Sequence, residues 1–142
     1  MEILIVDTKT ISEVQREFNT EFPYLKIEFF DVPYKPETAL PKSKIIAHDK
    51  KLSACRRMHS QGSLTVKETD KVSDLEKILW DQFGLSAQVF RKSGNLWIET
   101  SLTDSWTLSR QNKEGKEMSQ AHNGSVYKQA EEDDLTDRDK WE

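Results

Sequence analysis

Val72, Leu75, Leu79 and Phe83 recur at three- and four-residue steps, which puts them on one stripe of a helix that has to be buried. The same stripe occurs earlier in the chain. Ile11, Val14, Phe18 and Phe22 stand 61 positions upstream in identical register, and Ile3 and Ile5 precede Leu64 and Val66 by the same interval. Ile27-Glu28-Phe29-Phe30 lines up with Ala87-Gln88-Val89-Phe90. Each copy reads strand, helix, strand, so the chain is α+β with an internal repeat, about 1–31 and about 62–99. Two such units with right-handed crossovers predict a ferredoxin-like split βαβ sheet with both helices on one face.

Local signals mark where these elements begin and end. Ser73-Asp74-Leu75-Glu76 and Ser12-Glu13-Val14-Gln15 have the capping-box pattern, and Pro23 and Gly84 close the two helices. Ser93-Gly94-Asn95 turns the chain into a hairpin whose second strand is Leu96-Trp97-Ile98-Glu99. Thr103-Asp104-Ser105 then offers N-caps for a short helix over about 105–115, with Gly115 as its stop. Helix, hairpin and short helical turn in that order make a β-grasp-like C-terminal half the alternative architecture.

Between the repeats, 32–61 is long for a plain connection. Val32 to Pro41 holds three of the chain's four prolines and reads as an extended crossing, whereas Lys50 to Ser60 reads as a short helix. The latter is a candidate cover for the second sheet face. Strand alternation points Leu4, Val6, Phe30, Phe90 and Trp97 to that face, and so large an apolar patch does not stay in water.

The chain of 142 residues suits one domain, about 1–123, followed by an acidic tail over 124–142 with little to bury. From Ser125 to Glu142 three basic residues stand against seven acidic ones, 3 − 7 = −4, which equals the net charge of the whole chain. The remainder is neutral, so the global field draws in neither nucleic acid nor acidic substrates. The N-terminal apolar run, Ile3 to Val6, is too short for a leader, and no stretch approaches a membrane span. The single cysteine, Cys55, precludes an internal disulfide and suits the cytoplasm.

Few motifs carry chemistry. Lys42, Lys44, Lys50, Lys51, Arg56 and Arg57 form the densest basic run, and Arg91, Lys92 and Trp97 add a second basic group with an aromatic at the hairpin. Lys50, Lys51, Arg56, Arg57, Arg91, Lys92 and Trp97 are therefore the candidate binding residues. A nucleic-acid interface over 42–57 and 91–97 is the alternative function, although the hairpin lacks the signature of an RNA-recognition sheet. Cys55 and His59, four apart, with His48 nearby, allow a metal pair or an activated thiolate, which is the enzyme alternative. No glycine precedes Gly62, so no Gly-rich phosphate loop exists in the N-terminal unit. No cofactor or metal is expected, and acidic pairs such as Asp74 with Glu76 are explained by helix capping. The expected function is a non-enzymatic cytoplasmic binding module, with a protein or small-molecule partner favoured over nucleic acid.

Phe22-Pro23-Tyr24-Leu25-Lys26-Ile27-Glu28-Phe29-Phe30, the run from Gln88 to Thr100, and Thr103-Asp104-Ser105-Trp106-Thr107-Leu108 resemble segments of a family of small bacterial proteins without assigned function. The resemblance extends to about Met118 and implies a complete stand-alone protein. It implies no activity, ligand or catalytic residue.

Overall fold

The computed structural model describes residues 1–123, and the acidic tail expected over 124–142 lies outside them. In chain order the regular elements are β1 (Glu2–Ile5), α1 (Ile11–Glu21), β2 (Leu25–Phe29), β3 (Gly62–Thr65), α2 (Val72–Phe83), β4 (Ala87–Ser93), β5 (Leu96–Glu99) and α3 (Leu108–Asn123). Short 3₁₀ turns occupy Lys42–Lys44, Leu52–Ala54 and Ser101–Thr103.

The two apolar stripes form helices as their spacing predicts, but both helices start earlier than the Ser patterns suggest. Thr10, not Ser12, caps α1: its hydroxyl accepts the Glu13 amide at 3.2 Å while the Glu13 carboxylate accepts the Thr10 amide at 3.0 Å. The Ser12 amide is already committed to the His48 carbonyl at 3.0 Å. α2 opens at Lys71 without a side-chain cap. Its first amides are satisfied by another segment, Val72 by the Trp106 carbonyl at 3.1 Å and Ser73 by the Asp104 carbonyl at 2.8 Å. The expected Ser73–Glu76 box does not form, because Glu76 turns inward and its Oε2 accepts the Val89 amide at 3.0 Å. Gly84 ends α2 at φ 66°, and a Cβ there would lie 2.9 Å from Met58 Cβ, so both conformation and space demand glycine.

The strands pair differently from the split βαβ expectation. β1 and β3 form a two-stranded antiparallel sheet, and β2, β4 and β5 form a separate antiparallel sheet in that order. A βαβ crossover needs its two strands parallel in one sheet. Here each unit's first strand pairs with the other unit's first strand, so one four-stranded sheet is replaced by two. Because the pairing is antiparallel, one aligned pair per ladder stands directly opposite, Ile3 with Leu64 at the 61-residue offset and Glu28 with Gln88 at the 60-residue offset, while Ile5 faces Gly62 and Ile27 faces Val89. The helix, hairpin and short-turn order of a β-grasp is present in α2, β4–β5 and Ser101–Thr103, although all strand pairs are antiparallel.

The main core joins Ile3, Ile5 and Leu64 of the small sheet, and Val66 just past it, to the α1 and α2 stripes and to Leu25, Ile27, Phe29 and Val89. The second face of the larger sheet is covered too, but not by a helix over Lys50 to Ser60, which forms only the Leu52–Ala54 turn. Phe30 and Phe90 are buried with Leu40, and Val32, Ile45 and Trp97 pack around them. Leu4, expected on that face, is instead exposed. The last helix begins at Leu108 and runs through Gly115 to Asn123, past the expected stop. Gly115 is glycine for a different reason: a Cβ there would meet Tyr24 Cβ at 2.9 Å and Arg91 Cγ at 3.1 Å, so the missing side chain lets α3 sit close to the larger sheet.

Candidate functional site

The basic residues singled out in the sequence divide among separate elements. Arg56 is only 7% exposed and is consumed internally: Nε and Nη2 donate to Asp7 Oδ1 at 3.2 and 2.8 Å, and Nη1 donates to the Ser60 and Phe83 carbonyls at 2.7 and 3.1 Å. Its guanidinium holds the Asp7 carboxyl below the usual range, with help from His59. A residue read as a ligand cation is thus a buried tie between loops. Lys50, Lys51 and Arg57 are exposed, and the Lys50 carbonyl accepts the Ile11 amide at the start of α1. Arg91 and Lys92 lie on β4. Arg91 Nη1 donates to Gln111 Oε1 at 2.9 Å and its guanidinium stands 5.6 Å from the Trp106 ring, whose nearer cation is Arg110 at 3.8 Å. Lys92 and Lys26 sit 6.0 and 5.2 Å from the half-buried Trp97 ring.

Cys55, His48 and His59 do not share a hydrogen bond. Cys55 Sγ donates to the Lys51 carbonyl at 3.2 Å, and burial pushes its thiol pKa up, away from a reactive thiolate. His48 Nε2 pairs with Glu28 Oε1 at 2.8 Å, and His59 Nδ1 with Asp7 Oδ2 at 2.9 Å. No group of three or more metal-ligating side chains comes together among the described residues.

The rim of the three-stranded sheet differs sharply between its two sides. Along the outer side of β2 the carbonyls are all taken: Leu25 O accepts Asn19 Nδ2 at 2.8 Å, Ile27 O accepts Gln15 Nε2 at 2.7 Å, and Phe29 O accepts the Ile46 amide at 2.8 Å. Gln15 also donates at 3.0 Å to Glu28, a carboxylate 3% exposed that is further paired with Lys26 at 3.1 Å. On the other side, β5 pairs with β4 through Arg91↔Ile98 and Ser93↔Leu96. Because the Lys92 amide donates to Tyr24 O and the Phe30 amide to Ser86 O, alternate β4 residues face β2, so Arg91 and Ser93 face β5. The backbone groups of Trp97 and Glu99 then point outward, and none has a hydrogen-bond partner among the described residues.

Where β5 stops, side chains complete the ladder on β4. Thr100 Oγ1 donates to the Val89 carbonyl at 2.8 Å and Glu76 caps the Val89 amide. Glu76 is 4% exposed, and burial raises its pKa to about 8, with Asp104 and Glu99 adding to the rise and the Val89 hydrogen bond opposing it. Burial also raises Asp104, and it pushes the Tyr34 hydroxyl up to about 12 in a field to which Glu76 and Asp104 contribute. Beside this junction the exposed apolar side chains are Ile98, 38% exposed on β5, and Leu102, 94% exposed on the turn after it.

No family model, curated protein or solved structure matches the chain. The geometry therefore has to speak for itself. An outward pair of backbone donors and acceptors flanked by Ile98, Leu102 and Trp97 can add a strand, whereas the histidines and Cys55 are positioned for no shared reaction. Neither the open edge nor the inward Glu76 was found from the sequence. Leu96-Trp97-Ile98-Glu99 shows the strand but not which side of it is covered.

Proposed function

We propose that this chain is a non-enzymatic interaction module of the cytoplasm that binds an extended segment of a protein partner along β5. The observation that carries this reading is the unpartnered outward backbone of Trp97 and Glu99, beside exposed Ile98 and Leu102, in a sheet whose opposite rim has its outward carbonyls taken. Soluble proteins blunt their sheet edges with charge, proline or a covering segment. β5 carries no proline and no lysine, and its one charge, Glu99, turns back to accept the Ser101 amide at 2.8 Å. No helix among the described residues is long and apolar enough to cross a membrane, which accords with a partner of this kind.

The internal repeat and the likeness to a family of small bacterial proteins belong to the same reading. The matched entries to α1 and α2, each supplied by a carbonyl pair from a later segment, support two copies of one unit, of which only the second keeps a full hairpin. A protein partner is favoured over nucleic acid because Arg56 is spent internally and the remaining cations are spread over α1's entry and β4.

Amide hydrogen exchange on a displayed library's best binder tests the proposal. In the chain diluted until it is monomeric the Trp97 and Glu99 amides exchange freely, and they become protected when a short extended peptide binds, while Ile98→Lys and Leu102→Lys abolish binding without lowering the melting temperature. Peptide binders that leave those two amides unprotected, or that ignore both substitutions, would place the interaction elsewhere.

A further inference from the structure

The registers available to the β5 edge restrict what can occupy it. In an antiparallel pair a residue that points its backbone outward must face another that does the same. β5 has two such residues, Trp97 and Glu99, two positions apart. Two copies of the strand can therefore meet with Trp97 opposite Trp97, Glu99 opposite Glu99, or Trp97 of each opposite Glu99 of the other. Glutamates directly opposite repel. Trp97 opposite Trp97 leaves the Glu99 backbone groups unpaired. The mixed register satisfies the outward groups of both residues in both chains, and it centres the two-fold axis on Ile98.

We propose that the occupant of this edge is a second copy of the chain, β5 against β5 in antiparallel sense about a two-fold axis through Ile98. This rests on the reading of β5 as the binding edge and names its partner. Ile98 then faces Ile98 of the second copy at a non-hydrogen-bonded position, where side chains of paired strands come closest. Both are partly exposed in the single chain and apolar. Glu99 of the second copy comes to lie beside the Trp97 ring, which carries Lys26 and Lys92 at 5.2 and 6.0 Å, so a carboxylate arrives where two ammonium groups already sit. The contact is isologous, so both chains gain both charge contacts and the β5 edge is used up by a single partner instead of growing into a filament.

A cysteine on a two-fold axis meets only itself, which gives a direct test. In the full chain carrying Cys55→Ser, Ile98→Cys is oxidised in parallel with Met118→Cys, an exposed position on α3 that reports random collision. The expected result is a disulfide-linked dimer forming at least about tenfold faster through position 98, since the paired Cα atoms there are about 4.5 Å apart and within disulfide reach. Sedimentation of the native chain should show a concentration-dependent dimer that Ile98→Lys converts to monomer with unchanged melting temperature. Equal oxidation rates at 98 and 118, or a native chain monomeric at every concentration, would overturn the proposal. A monomer whose Trp97 and Glu99 amides are still protected by an extended peptide would remove the second copy and keep the edge; a monomer with no such protection would remove both.

Discussion

The two rims of the three-stranded sheet are made of similar strands and treated in opposite ways. The outward carbonyls of β2 are taken by Gln15 and Asn19 reaching down from α1 and by the backbone of Ile46, whereas β5 leaves the carbonyls and amides of Trp97 and Glu99 facing outward. Closing β2 takes two side-chain amides from a helix face. The cost is worth meeting because an open edge pairs with any extended chain it encounters. That β5 is left open while its neighbour β4, just past the end of β5, is capped by Glu76 and Thr100 shows that capping devices lie within reach and stop short of this strand.

The largest effect should come from the carboxyl that ends the ladder. Glu76 keeps its proton to about pH 8 when folded and loses it near its ordinary value of 4.5 when unfolded. The native state therefore binds more protons between those limits, so stability falls as pH rises from about 4.5 to about 8 and is level above, by on the order of 5 kcal/mol in all. Glu76→Gln keeps an acceptor for the Val89 amide and should flatten that slope in denaturant titrations at several pH values. A slope that survives would assign the linkage to other groups, with Asp104 the first to examine. Next in size are Phe18→Ala and Leu79→Ala, each expected to cost about 3 kcal/mol in urea unfolding, because both rims stand on one core. If one were nearly silent, the rims would have separate supports and the comparison would lose its basis.

Smaller effects come from opening the closed rim. Gln15→Ala and Asn19→Ala should each lower stability by about 1 kcal/mol, since each leaves a β2 carbonyl without its amide. Both variants, unlike the parent, should gain a second self-associating edge, visible as species beyond a dimer in sedimentation. Loss of stability without further association would show that side-chain amides on β2 serve packing and not protection.

Much of the architecture was legible in the sequence where the signal is local. The stripes of α1 and α2, the Gly84 stop, the turn at Gly94 and the core positions on those stripes follow from spacing and from glycine's conformational range, whereas buried Leu25, Leu40 and Leu85 were not picked out. Strand partners were not, because pairing β1 with β3 rather than placing it in a four-stranded sheet depends on residues some sixty positions apart, and alternation reads the same in either sheet. Two misreadings share one cause. Ser73-x-x-Glu76 has the capping pattern whichever way Glu76 turns, and Gly115 looks the same whether it ends a helix or lets one approach a strand. Of the residues around β5, Trp97 and Lys92 were singled out by their chemistry. The open backbone beside them leaves no mark on residue type.

The Arg56 tie has a consequence for the speed at which the fold comes apart. Its guanidinium joins Asp7, 49 residues away, to the end of α2 at Phe83, 27 residues away, so it gains its partners only after both loops have been closed by other contacts. Contacts that form after the rate-limiting crossing leave the rate of folding untouched and hold the finished structure shut. Arg56→Met should therefore steepen nothing and slow nothing on the refolding limb of a denaturant chevron, while raising the unfolding limb. A slowed refolding limb would mean that the two loops meet early and that the halves of the chain do not assemble before they are tied. On the expected outcome this one buried cation acts as a latch, setting the lifetime of the native state more than its path of formation.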